Sequence, residues 1–128
     1  MYGKYAFEQN GGAMTIQERV VNSVAVLDLG GRLVLGDGDE ALKQKIQALL
    51  TGGSTHVVLN LAEVSYVDSA GLGSLVAVCL DAKKFGGAIK LHSASKRLHD
   101  LFVMSRLVNV LDISESESHA LAGFGVTA

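Results

Sequence analysis

The chain has 128 residues, of which 48% are hydrophobic and 19% charged, with a formal net charge of −2. This is the make-up of one folded domain large enough to bury a core, which excludes intrinsic disorder, and it lacks the basic footprint of a nucleic-acid binder. Cys79 is the only cysteine, so neither an intrachain disulfide nor a cysteine-rich metal site can form, and no apolar run reaches the length of a membrane span.

The opening stretch MYGKYAFEQNGGA is polar, contains Gly-Gly and has no apolar signal-peptide core. Residues 1–13 are therefore set apart as an N-terminal extension, either disordered or left from cloning, and residues 14–128 are taken as the domain. The expected compartment is the cytoplasm. Thr15 to Val20 and Ser23 to Leu29 read as two strands joined by a turn at Asn22, the second ended by Gly30-Gly31. GRLVLGDG follows as a loop after a short extended piece. DEALKQKIQALL then places Leu42, Ile46, Leu49 and Leu50 at the spacing of an amphipathic helix, with acids at its start and Gly52-Gly53 at its end.

HVVLNL, His56 to Leu61, is a nearly continuous apolar run, as expected for a strand covered on both faces, and SYV extends it towards Asp68. Beyond Ser69 a helix is predicted with Leu72, Leu75, Val76, Cys79 and Leu80 on one face, closed by Gly86-Gly87. AIKLH is the next strand. Ser95 begins a helix with Leu98, Leu101 and Phe102 inward, where core packing is the safer reading for Phe102. VNVLDI is a last extended piece. Ser114 and Glu117 have the spacing of a capping box before a terminal helix with Ala120, Leu121 and Phe124 inward. Helix-length connections between buried strands imply parallel pairs. The predicted class is α/β: a single domain with a mixed, mostly parallel sheet of about four to five strands and helices packed on it.

Three chemical readings compete around these elements. SYVDSAGLGSLVAV places Ser69 at a strand-to-helix junction, but a serine-hydrolase elbow needs a glycine where Val67 stands, and His92, His99 and His119 show no clustering with an acid. GDGDEA, Gly36 to Ala41, matches the outline of a dinucleotide fingerprint. However, Asp37 and Asp39 would repel a pyrophosphate, and the ribose-binding acid is missing at Asn60 and Leu61. The favoured reading there is a glycine turn with an acidic helix start, in which Asp37, Asp39 and Glu40 form an acidic rim. Calcium binding fails on ligand number and spacing, so no metal or cofactor is expected.

Ser69 as a phosphorylation target fits the physics. A helix N-terminus offers free N–H groups to a phosphate, and the added charge of about −1.5 to −2 beside Asp68 alters the surface more than the interior. Gly71 and Gly73 would leave room for a partner to approach. The competing reading, that Ser69 merely caps the helix, stays open on these residues alone.

VVLNLAEVSYVDSAGLGSLV, Val57 to Val76, resembles the signature of STAS domains, specifically the bacterial anti-sigma factor antagonists, and the resemblance extends over about Met14 to Phe124. It implies a protein that is not an enzyme. Unphosphorylated, such a protein binds an anti-sigma factor that is also an ATP-dependent serine kinase, and so frees the sigma factor; the kinase phosphorylates the serine after the aspartate, and a serine phosphatase reverses it. By that resemblance Ser69 is the phosphorylated residue. Asp68, Ser69, Ala70, Gly71, Leu72, Gly73 and Asp37 are the partner-binding set, with no direct contact to nucleic acid or membrane. Where relatives carry an acid in Gly-x-Leu-Asp, this chain has Val34, so either Asp37 substitutes in space or the partner differs. A STAS adaptor in a transport or signalling assembly, with no kinase partner, is the alternative.

Overall fold

The computed structural model describes residues 4–6 and 14–126. The strands are β1 (Lys4–Ala6), β2 (Thr15–Val21), β3 (Val24–Leu33), β4 (His56–Val67), β5 (Ala88–His92) and β6 (Asp112–Ser114). The helices are α1 (Asp37–Thr51), α2 (Ser69–Lys84), α3 (Lys96–Met104) and α4 (Glu117–Gly123). One sheet runs in the order β1-β2-β3-β4-β5-β6; its first two pairings are antiparallel and the other three parallel.

The α/β class and the mixed sheet are as expected. The described residues hold six strands rather than four to five, the addition being β1 on the edge of β2. The rest of the segment set apart as an extension lies outside the described residues.

Asn22 and Ser23 form the two-residue turn between β2 and β3. Both have positive φ (46° and 72°), the backbone that matches the twist of a tight hairpin. Gly30-Gly31 does not end β3, which continues to Leu33. The pairing with β4 shifts register between Asp28 and Gly30 and again between Gly31 and Arg32, so the glycines mark bulges inside the strand. At Gly30 a Cβ would lie 2.8 Å from the Thr15 hydroxyl oxygen, so a side chain there would require Thr15 to shift.

β4 is continuous from His56 to Val67, longer than HVVLNL suggests. VNVLDI contributes only Asp112 and Ile113 to a strand, because Val110 and Leu111 turn back to bond the Leu107 carbonyl. The capping box fails in detail. Ser114 is buried in β6, and Ser116 caps α4 by accepting the His119 N–H at 3.1 Å.

The parallel strands follow one another in sequence order, and their crossover helices α1, α2 and α3 all contribute to the same core on one face. Leu42, Ile46, Leu49 and Leu50 of α1 are buried there as predicted, with Leu98 and Phe102 of α3. Burying a side chain such as Phe102 contributes roughly 1.5–3 kcal/mol. On α2 the inward face is rotated from the expected one. Leu75, Val78, Cys79 and Ala82 are buried, Leu72 and Val76 are half-buried, and Leu80 is exposed. Burial pushes the Cys79 thiol up to about 12, so it is inert as a nucleophile.

The second face holds a smaller cluster of Val24, Val26, Val58, Ala120 and Leu121 beneath α4. Beyond it this face is polar. The Arg19 guanidinium donates to both oxygens of Asp28 (2.7 and 2.9 Å) and to both of Glu117 (2.6 and 3.1 Å), and Asn60 donates to Asp28 at 2.9 Å. Arg19 thus fastens α4 to the sheet, and it holds the carboxyls of Asp28 and Glu117 below their ordinary range.

Candidate functional site

At the end of β4 the buried Val67 anchors the chain, and Asp68 turns it out of the sheet in extended conformation (φ −94°, ψ −176°). Asp68 is the N-cap of α2. Its Oδ1 accepts the Gly71 N–H at 2.8 Å, while Oδ2 accepts the Leu35 N–H at 3.0 Å from the loop before α1. These backbone donors, Leu35 first, hold the Asp68 carboxyl below its ordinary range. The carboxylate is therefore a structural fastener between two strand-to-helix junctions.

Ser69 is the first residue of α2 and is exposed. The cap reading of Ser69 is overturned, because Asp68 performs that task. No hydrogen bond engages the Ser69 hydroxyl among the described residues. Two of the N–H groups expected to greet a phosphate are in use: Gly71 donates to the Asp68 side chain at 2.8 Å, and Leu72 donates to the Asp68 carbonyl at 2.9 Å.

The two glycines serve different ends. A Cβ on Gly71 would lie 2.0 Å from the Leu33 carbonyl oxygen, so Gly71 lets α2 sit directly on the end of β3 and opens no approach for a partner. Gly73 is exposed, with open space where its Cβ would be. Ala70 and Leu72 are half-buried. The solvent-facing part of the motif is thus Ser69 and Gly73, flanked by Ala70 and Leu72.

Gly36 caps α1 in the left-handed region (φ 100°), as a glycine turn should. The acidic rim is only partly present: Glu40 is exposed, but Asp39 is buried, and the Asp37 side chain lies outside the described residues. The backbone at Asp37 stands two residues beyond Leu35, so the Leu35 bond to Asp68 draws this loop to the Ser69 junction. Leu35 itself is 75% exposed, and no sequence signal singles it out, because its contribution is a main-chain donor and a surface position. Val103 and Met104 are exposed, whereas Phe102 is fully buried. Among the described residues no helix is long and apolar enough to cross a membrane.

Comparison with known proteins agrees with this geometry. The family model described as "Mlab, STAS domain" matches residues 16–123. The chain is 40% identical over 73 residues to the anti-sigma-B factor antagonist of Bacillus subtilis (strain 168), covering 57% of this chain and 66% of that one. It is 27% identical over 105 residues to the anti-sigma F factor antagonist of Paenibacillus polymyxa, covering 82% and 90%. The crystal structure of an anti-sigma factor antagonist from Mycobacterium paratuberculosis superposes with a TM-score of 0.76 at 20% identity, over 87% of this chain and 93% of that one. A sheet in sequence order, an aspartate-capped helix that follows β4 and a family match over most of its length lead to one conclusion: this chain belongs to the STAS domain family.

Proposed function

We propose that this protein works as a phosphorylation-switched antagonist of an anti-sigma factor. In the unmodified form it binds an anti-sigma factor that is also a serine kinase, so releasing the sigma factor. Phosphorylation of Ser69 ends that binding, and a serine phosphatase restores it. The protein acts by binding rather than by catalysis.

The observation that carries this reading is the solvent-exposed Ser69 hydroxyl at the first position of α2, beside a fully engaged carboxylate. A phosphate there gains less from the helix end, since the Asp68 side chain already takes the Gly71 N–H, and it meets like charge from the same residue. Its effect is directed outward, onto whatever docks over Ser69 and Gly73. The fold beneath is held by Gly71 on Leu33 and by buried Val67, so the switch need not unfold anything.

The test is incubation with candidate anti-sigma factor kinases and ATP, followed by mapping of the modified residue. Phosphate is expected on Ser69 alone. Ser69→Ala should bind and resist modification, and Ser69→Asp should bind weakly. Modification at any other residue overturns the reading.

A further inference from the structure

β4 has twelve residues, but β5 pairs only with the first five of them, His56 to Asn60. From Glu63 to Val67 the strand pairs with β3, and among the described residues no strand pairs with its other edge. Unpaired backbone N–H and C=O groups along a strand edge are a template for another strand. Beside this edge runs a groove of about 640 Å³, walled by residues 64–67 on one side and by α3 with its cap Ser95 on the other.

The groove is lined by large apolar groups that stay in water: Met104 is 82% exposed and Tyr66 48%, with Leu101 half-buried behind them. Its lining carries Lys96, Arg97 and Asp100 and is net positive. Lys96 is paired with Asp100 at 3.0 Å, which leaves Arg97 on the wall without an ion pair among the described residues. Arg32 of β3, outside the lining of the groove, lies 5.5 Å above the Tyr66 ring.

We propose that this groove receives an extended segment of a partner protein, which adds a short strand to the free edge of β4. The segment sets an apolar side chain against Leu101 and Met104 and an acidic one opposite Arg97. A strand fits where a helix does not, because a helix satisfies its own backbone and would cover the β4 edge groups without bonding them. An acidic segment fits because the charged group left unpaired on the wall, Arg97, is a cation. The proposal depends on the preceding section only for the bearer of the segment, the anti-sigma factor.

The probe is a short blocked peptide of alternating valine and glutamate, followed by amide chemical shifts of the whole chain. Shifts confined to residues 64–67 and 95–104 are expected. Alternate N-methylation of the peptide should abolish binding, since it removes the strand donors and keeps the side chains. Arg97→Glu and Met104→Glu, both at exposed positions, should each weaken binding about tenfold. Shifts elsewhere, undiminished binding of the methylated peptide, or a chain that already pairs with a second copy through this edge would overturn the proposal.

With the anti-sigma factor itself, loss of binding in Ser69→Asp but not in Arg97→Glu removes the groove and leaves the switch standing. A wild-type chain that binds no anti-sigma factor removes the switch, and the peptide then decides the groove by itself.

Discussion

The Asp68 carboxylate and the Leu35 backbone N–H, thirty-three residues apart in the chain, meet at 3.0 Å. With the Gly71 N–H on its other oxygen, Asp68 ties the start of α2 to the loop that leads into α1. One side chain thereby sets the relation between the two surface segments that flank Ser69.

Replacing Asp68 by Ala should cost about 1–2 kcal/mol of stability, through loss of an N-cap and of the loop tether. Ser69→Ala should change stability by less than about 0.5 kcal/mol, since it removes no bond. Urea denaturation of the two variants tests the separation. Equal losses would return the capping role to Ser69.

The glycines of the motif should respond in opposite ways. Gly71→Ala forces a methyl group against the Leu33 carbonyl and should destabilise by about 1–3 kcal/mol or more. Gly73→Ala enters open space inside a helix and should stabilise by roughly 0.5–1 kcal/mol. Thermal melts of both settle the matter, and a neutral Gly71→Ala would contradict the close approach of α2 to β3.

Acidification should lower stability in two steps. His92 is buried beside Ser93, Glu117, Asp28 and Arg19, and burial lowers its pKa despite the two carboxylates. A group depressed in the folded state favours the neutral form, so stability begins to fall as pH drops through the unfolded value of about 6.5. Asp28 and Glu117 are also depressed, by Arg19, so their contribution is full above the ordinary carboxylate range and is lost as pH falls through it. Stability measured against pH should show both steps, and His92→Asn should remove the first. A flat profile between pH 7 and 5 would refute the His92 assignment.

Arg19→Met keeps the aliphatic stem and deletes the fork that joins Asp28 to Glu117. The expected loss is about 2 kcal/mol. It should concentrate in α4, read as faster amide exchange at Ala120 and Leu121 relative to Leu59 and Leu91. Uniform acceleration across the sheet would place the effect elsewhere.

Periodicity was enough to locate α1 and α3, and β5 was legible as a five-residue run, because those elements bury a regular face against one core. The order of strands and helices led to the parallel sheet for the same reason. Ser69 stood out through its neighbours Asp68, Gly71 and Gly73. The errors share a cause. Gly30-Gly31 looks like a strand end because glycine permits both a turn and a bulge, and only the β4 ladder distinguishes them. Gly71 and Gly73 look equivalent in SAGLG, yet one faces a backbone oxygen and the other faces solvent.

The sequence by itself determined the α/β class, the buried stripes of α1 and α3 and the serine that opens α2, since these depend on spacing along one segment. The tertiary structure decided what each motif residue does. It assigned the cap to Asp68, the packing to Gly71 and exposure to Ser69, and it brought Leu35 and α3 to the end of β4. Those roles arise from contacts between segments distant in the chain, and local propensity carries no record of such contacts.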